Sequence, residues 1–569
     1  VFNKRNYLLI LFLTFLSPPC FAITGDSLFA RFHPAIGENG MVSSPDNIAS
    51  QVGVKILQDG GNAVDAAVAT AFALSVTRQG SGGLGGGGFM MIHLAKQNKT
   101  IAINYREKAP LAAMPEMFLD KDQMVDREKI SNSYLASGVP GTVAGLTYVQ
   151  KAYGTLPLAK VMQPAIELAQ NGFLVTNNFA QLLIEKQSAI QKWPATKAIY
   201  MPQGKLLAAG DILIQKDLAN TLRLIAKQGA FAFYQGQIAD VIAADMKKHG
   251  GIITLTDLAD YKIQELKPLT TTYHDYQIAM MPLPSSGGVA LAQILTLIKD
   301  YPLADWGLNS SKSIHVIAEA LNKAFVDRNH YLGDPNFVKV PLKQLLDEQR
   351  LKQVPINSQQ HTPANKLEMP AIRIEESSQT AHFSVVDKDR NLVANTQTLN
   401  DMLGSGIIVS GTGILLNNEM DDFTAKVGAS NMFGVIDGAA NAIQAKKQPL
   451  SSMTPTFVFD KKGNPVLVIG AAGGSRIIST ILQIILNVLD YNLDIASAIN
   501  SPRFHSQWLP DEIVIEQGFS QDTIEKLQQQ GHRVEQKALP SVAQAIVVVD
   551  DKLYGAADSR NATGLAVGY

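Results

Sequence analysis

The chain has 569 residues, 46% hydrophobic, 17% charged and 7% aromatic. That composition sits near the globular average and excludes a collagenous, coiled-coil or disordered chain; at about 150 residues per domain the length suggests about four domains, unless a large α/β sandwich runs longer as one unit. With 49 Lys+Arg against 50 Asp+Glu the net charge is −1, which argues against a nucleic-acid binder with a basic face.

The first segment bears on compartment. Lys4 and Arg5 precede an apolar run, Tyr7 to Leu16, broken only by Thr14, and Cys20-Phe21-Ala22 offers small residues at the −3 and −1 positions of a cut after Ala22. This is the layout of a secretory signal peptide over residues 1–22, and its apolar run is shorter than the roughly 20 residues of a membrane span. Pro18 and Pro19 stand where lipid attachment at Cys20 asks for small residues. Removing the segment takes the net charge from −1 to −3 and takes the only cysteine with it. An exported chain without thiols has no disulfides and no cysteine nucleophile, so its stability must come from core burial. No later stretch offers a membrane span, and a soluble mature protein is expected.

From Ile48 to Val76 apolar residues recur with helical period. Gly60-Gly61 breaks the run, and Asn62 is placed to cap the alanine-rich helix Ala63–Val76. A glycine run, Gly80 to Gly88, leads into a strand-like stretch, Phe89 to Leu94, and Ile101 to Tyr105 alternates as a second strand. Residues 155–260 read as amphipathic helices, and Pro282 to Gly288 as a turn before the helix Val289–Ile298. Residues 355–379, polar and with three prolines, read as an exposed connector. Directly after it, Thr380–Val386 and Leu392–Leu399 flank the turn cluster Asp387–Asn391 and form a hairpin. A turn centred on Asp389 sets Thr380 opposite Thr398, with one or two residues of possible slip, close enough for a cross-strand hydrogen bond. A plain Thr–Thr pair in a sheet is the commoner reading of such a pattern.

Most familiar chemistries fail on spacing. Gly83-Leu-Gly-Gly-Gly-Gly88 fits a dinucleotide fingerprint in letters, but a helix precedes it and a strand follows, the reverse of what a pyrophosphate site needs. No Walker-type loop or G-x-S-x-G elbow occurs, and no two of the ten histidines lie at zinc-site spacing. No cofactor or metal is expected. His382, on the strand face of Thr380, reads as a hydrogen-bonded structural histidine. One chemistry needs neither cysteine nor a His–Asp pair: a threonine at a chain's own N-terminus uses its free α-amine as base for its hydroxyl. That amine has a pKa of ~7.7–8.0, far below the ~10.4 of lysine. Thr380 would gain one if the bond before it were cut, and it follows an exposed connector where a cut is sterically easy.

The ordered set Gly60-Gly-Asn-Ala-Val-Asp-Ala-Ala67, Leu84-Gly-Gly-Gly-Gly-Phe89, Tyr105-Arg-Glu107, Ala136-Ser-Gly-Val-Pro-Gly141, Pro284-Ser-Ser-Gly-Gly288 and Tyr331-Leu-Gly-Asp-Pro335 continues through Gln379-Thr380 and Thr396-Gln-Thr398-Leu-Asn400. Leu416-Asn-Asn-Glu-Met-Asp-Asp-Phe423, Pro449-Leu-Ser-Ser-Met-Thr-Pro455 and Gly473-Gly-Ser-Arg476 complete it. From about Gly40 to Tyr569 the chain resembles the bacterial γ-glutamyltranspeptidases (glutathione hydrolases). The resemblance implies an α/β fold, the four-layer αββα sandwich of the N-terminal-nucleophile hydrolases. It implies self-cleavage between Gln379 and Thr380 into a large subunit (23–379) and a small catalytic subunit (380–569) that stay together as a heterodimer in the periplasm.

It also implies roles. Thr380 attacks the γ-carbonyl of glutathione or another γ-glutamyl compound, Thr398 orients its hydroxyl, and the N–H groups of Gly473 and Gly474 form the oxyanion hole. Arg106, Ser451 and Ser452 bind the substrate α-carboxylate, while Asn400, Glu419 and Asp422 bind its α-ammonium. Water as acceptor gives hydrolysis, and an amino acid or peptide gives transfer. The chain departs from the family pattern at Ala381, where many relatives have a second threonine, at Phe383, where tyrosine is frequent, and at Ala471-Ala472 and Arg78-Gln79. In the lid-like segment Ser430-Asn-Met-Phe-Gly434, Phe433 replaces a tyrosine able to bond an asparagine. Taken singly, Arg106 would read as an ion-pair partner, Ser451-Ser452 as a helix cap and Gly473-Gly474 as a turn. The alternatives are a β-lactam-side-chain type acylase, which has less need of Asp422, and a non-catalytic exported binding protein on the same fold.

Overall fold

A computed structural model describes residues 33–353, 355–364 and 380–569. The expected signal segment 1–22, Gln379 of the expected cleavage site and most of the expected connector lie outside the described residues.

Fourteen strands make two seven-stranded sheets. In chain order they are β1 (Ala35–Gly37), β2 (Gly40–Ser44), β3 (Gly87–Leu94), β4 (Lys99–Tyr105), β5 (Gln264–Leu266), β6 (Leu269–Tyr273), β7 (Tyr276–Met280), β8 (Thr380–Asp387), β9 (Leu392–Thr398), β10 (Thr456–Phe459), β11 (Pro465–Ala472), β12 (Val542–Val549), β13 (Lys552–Ala557) and β14 (Leu565–Gly568). One sheet has the order β14-β2-β8-β9-β3-β4-β5 and the other β1-β13-β12-β11-β10-β7-β6. Both interleave strands from before and after Thr380, so the two halves of the chain share one core.

β8 shows how the layers form. All eight of its residues are buried, and successive side chains take opposite faces. Phe383 and Val385 enter an apolar cluster with Met90, Ile92 and Ile103 beneath helices α1 (Asn47–Gln58), α2 (Ala63–Thr77), α3 (Thr142–Tyr153), α4 (Leu158–Asn171) and α5 (Lys216–Gln228). Each such large apolar side chain contributes about 1.5–3 kcal/mol on burial. His382 and Ser384 point the other way, and the Ser384 hydroxyl reaches Val468 O of β11 at 3.4 Å and Gln544 O of β12 at 3.2 Å. Beyond that second sheet, α6 (Gly287–Ile298), α7 (Ser311–Tyr331) and α8 (Arg476–Leu489) pack Leu291, Leu295, Phe325 and Ile481 into the cluster that holds Ile278, Phe457 and Ile469. The result is the expected four-layer αββα sandwich.

The expected local signals are present. Asn62 caps α2 in a reciprocal capping box with Asp65. The glycine run precedes β3 and follows α2, which leaves no strand–glycine–helix unit for a dinucleotide. No helix among the described residues is long and apolar enough to cross a membrane.

Candidate active site

β8 and β9 pair with Thr380 opposite Thr398, the register that the turn predicts. The neighbouring strand β3 packs tightly against this hairpin. At Gly86 and Gly88 an added Cβ would overlap the carbonyls of Thr398 and Thr396, and at Gly87 it would come within 2.6 Å of Glu107 Oε2. The glycine run thus lets β3 close against β9, an approach to the chain's own backbone and not to a ligand. The Thr398 hydroxyl accepts a hydrogen bond from Asn400 N at 2.9 Å. This holds Asn400 in a left-handed conformation, φ 73°. Asn400 Nδ2 donates to Asn418 O at 3.1 Å, which leaves its Oδ1 as an acceptor.

Thr380 and Thr398 open into a small cleft that Arg106, Asn400, Glu419, Asp422, Ser451, Ser452 and Gly474 also line. Every sequence-predicted recognition residue therefore lies around the candidate nucleophile. Gly473 sits one residue behind the wall. Gly473 (φ 133°) and Gly474 (φ 58°) both take backbone conformations that favour glycine. A Cβ at Gly473 would lie 2.8 Å from Ser541 Cβ, and one at Gly474 would overlap the Phe433 ring. Among the described residues neither N–H is taken up by a backbone carbonyl. The pair joins β11 to the N-terminus of α8, where unpaired N–H groups and the helix dipole would favour a developing negative charge.

Arg106, at the end of β4, is 1% exposed and pairs with Glu419 through Nη1 and Asp422 through Nη2. Glu107 Oε2 lies 3.7 Å from Nη1. Burial raises all three carboxyls above their ordinary range while Arg106 pulls them down; Glu107 stands at about 7 and Glu419 well above its usual value. Burial also opposes the arginine's charge, but Glu419, Asp422 and Glu107 hold it protonated. The short turn Glu419–Asp422 is set by Asn417, whose Nδ2 donates to Gly85 O (2.7 Å) and Gly138 O (2.8 Å), while its Oδ1 accepts from Glu419 N (3.0 Å). Three of the sequence motifs thus converge to orient one acidic group.

No helix starts at Ser451-Ser452, so a cap is not their role. Ser451 N donates to Pro284 O at 3.0 Å, Ser286 N and Oγ both donate to Ser451 O at 2.7 Å, and Met453 N donates to Ser451 Oγ at 3.1 Å. His382 is buried, shares hydrogen bonds with Thr396 (2.8 Å) and Ser384 (3.2 Å), and is pushed down to about 3 by burial, which fits the structural reading.

Two contributors escape sequence reasoning. Arg328 of α7 lines the cleft, pairs with Asp437 and donates from Nε to Ser286 Oγ at 3.0 Å, bracing the Ser451 wall. Asp421 accepts from Met432 N at 3.0 Å and pairs with Arg127 at 3.2 Å, while Arg127 also bonds Ser430 O. Together they moor the segment that carries Phe433. Asp421 stood in the acidic motif, but nothing in its spacing separated its task from that of Asp422.

The sequence profile of the family described as Gamma-glutamyltranspeptidase matches residues 49–568. The chain is 47% identical over 542 residues to the glutathione hydrolase proenzyme of Escherichia coli (strain K12), covering 95% of this chain and 93% of that protein. It is 44% identical over 553 residues to the glutathione hydrolase proenzyme of Pseudomonas sp. (strain A14), covering 94% and 95%. Among solved structures it is similar to the gamma-glutamyltranspeptidase of Helicobacter pylori, with 42% identity, a TM-score of 0.54 and coverage of 57% of this chain and 96% of that one. It is also similar to a cephalosporin acylase from Bacillus halodurans, with 26% identity, a TM-score of 0.82 and coverage of 94% and 97%.

Proposed function

The chain belongs to the gamma-glutamyltranspeptidase family, and from that premise we propose that it is a self-processing γ-glutamyl hydrolase and transferase acting on glutathione and related γ-glutamyl compounds in the periplasm. Signal removal after Ala22 and self-cleavage before Thr380 give the subunits 23–379 and 380–569. The freed α-amine of Thr380, with a pKa of ~7.7–8.0, takes the hydroxyl proton as Oγ1 attacks the γ-carbonyl. The tetrahedral oxyanion points at Gly473 N and Gly474 N. Its collapse breaks the γ-amide bond and passes the proton to the departing amine, leaving a γ-glutamyl ester on Thr380. Water or an amino acid then attacks the ester and regenerates the threonine. Thr398, opposite Thr380, orients the nucleophile.

The observation that carries this reading is the ion pair at the cleft wall. Arg106 is matched with Glu419 and Asp422 in a site that is almost wholly buried. An α-amino acid end can replace that pairing in kind: its carboxylate takes Arg106 with the Ser451 and Ser452 hydroxyls, and its ammonium takes Glu419, Asp422 and Asn400 Oδ1. The exchange buries no net charge, and an unpaired buried charge is what such a site cannot tolerate. A glutaryl side chain lacks the ammonium and would strip the two acids of their cation, so the acylase reading is disfavoured although the fold is shared.

A denaturing gel with N-terminal sequencing tests the chemistry. Two fragments are expected, the smaller starting at Thr380, and Thr380→Ala should give one uncut, inactive chain. Activity in an uncut chain would defeat the mechanism. Faster turnover of a glutaryl amide than of glutathione would favour the acylase.

A further inference from the structure

Helix α7 carries a polar cluster on the far side of its apolar contacts. His315 and Glu319 lie one turn apart on it, and His532, just after the helix Gln521–Gln529, faces them. One nitrogen of each histidine and one Glu319 oxygen lie within 4.8 Å of one another, and all three side chains are buried. None of them lines the cleft.

The hydrogen bonds say which atoms point inward. His315 Nε2 is 2.6 Å from Asn357 O, which can only accept, so Nε2 carries the ring proton and Nδ1 keeps its lone pair. Nδ1 faces His532 Nε2 at 2.7 Å, a separation that one proton bridges. His361 closes the group. Its Nδ1 is 2.6 Å from Glu319 Oε1, its Nε2 is 2.9 Å from Asp511 Oδ1, and its ring centroid lies 4.5 Å from that of His532. Histidines that ligate metals present one nitrogen to the ion and anchor the other on a carbonyl or carboxylate. His315 has that anchor in Asn357, and His361, bridging Glu319 and Asp511, steadies the carboxylate.

We propose that His315 Nδ1, His532 Nε2 and Glu319 form a zinc(II) site, with His361 beside them holding Glu319 in place through Nδ1. The ion replaces the proton between the two facing nitrogens. Imidazole and carboxylate suit zinc, which takes nitrogen at about 2.0–2.1 Å; two such bonds in a tetrahedron ask the facing nitrogens to part by less than about 1 Å. Binding does not depend on self-cleavage. Its consequence does: His315 and Glu319 precede Thr380 and His532 follows it, so the ion ties together the two chains that the proposed cut leaves.

Chelator-treated protein, both self-processed and as uncut Thr380→Ala, is titrated with Zn(II) by calorimetry. One equivalent is expected per chain in each form. His532→Gln, which keeps an N–H for His315 Nδ1, should weaken binding by at least about 100-fold. Glu319→Gln, which keeps an acceptor for His361, should also weaken it, and both variants should melt in chelator within a few degrees of the parent. Co(II) should give the visible bands of a tetrahedral N/O site in the parent and lose them in His532→Gln. Absence of binding at about 100 µM Zn(II), or equal binding by the parent and both variants, would overturn the site. γ-Glutamyl transfer, measured on the metal-free enzyme, reports separately on the proposed function.

Discussion

Replacing Arg106 by glutamine removes the cation that Glu419 and Asp422 share and the fork that would hold the substrate carboxylate. The two effects have different sizes and different pH signatures. For catalysis, two charge-assisted hydrogen bonds at ~1.5–3 kcal/mol each amount to ~3–6 kcal/mol, or about 10²–10⁴-fold in kcat/KM for glutathione. For stability, breaking a buried pair from one side costs about 3–5 kcal/mol. Glu107, Glu419 and Asp422 are already raised by burial while Arg106 pulls them down; without it they rise further. An acid raised in the folded state binds more protons there than in the unfolded chain, so its stability is largest at low pH and falls as pH rises through the folded value. Arg106→Gln should therefore lose more stability at about pH 8 than at about pH 5 in urea melts. Arg106→Lys restores charge without the fork, and should recover stability better than kcat/KM. A kcat/KM within about fivefold of the parent in Arg106→Gln, or a stability loss equal at both pH values, would refute the account.

Thr398→Ala removes the acceptor of the buried Asn400 N–H and should cost about 1–3 kcal/mol in urea unfolding together with a lower kcat, whereas Thr398→Ser should keep most of both; equal losses in the two variants would separate Thr398 from the nucleophile. Gly474→Ala places a Cβ against the Phe433 ring at φ 58°, and stopped-flow acylation should slow by about 10²–10³-fold through the lost oxyanion donor; an unchanged acylation rate would move the oxyanion elsewhere. Asp421 is raised by burial from 3.8 to about 6, with Arg127 and Met432 N pulling the other way. Because its folded value is the higher one, its ionisation costs stability that appears as pH rises from about 4 past about 6, worth about 3 kcal/mol. Asp421→Asn escapes that cost, so its stability relative to the parent should climb over that range; a difference independent of pH in urea melts would contradict the assignment.

What could be read from the residues follows from how local each signal is. The register of β8 and β9 is set by a short turn and by alternation along two strands, and a one-residue slip would turn Phe383 and Val385 away from the helices. Asn62 and Asp65 announce the start of α2 three residues apart. Arg106 and Glu419 are separated by 313 positions, and only the family resemblance joined them. The resemblance supplied their roles toward a substrate but not that they hold each other. The glycine run fits a dinucleotide fingerprint in letters only, and nothing local to it names the strand Thr396–Thr398 against which it packs. The cluster on α7 is not legible from histidine–histidine spacing: its helical signal is the spacing of His315 to Glu319, and His532 arrives from 217 residues away.

The same topology explains why the proposed cut before Thr380 would be compatible with a stable fold. β8 starts at Thr380, so hydrolysis of the preceding bond removes no strand from either sheet. Its neighbours are β2 and β9, one from each side of the cut, and the opposing sheet likewise sets β10 beside β7 and β13 beside β1. Separating the two chains would therefore mean opening ladders in both sheets and exposing the apolar clusters between the layers, at about 25 cal/mol for every Å² of apolar surface uncovered. A fold that interleaves its halves in this way could release a terminal amine at its centre while the cleft around it keeps the residues proposed to read the substrate.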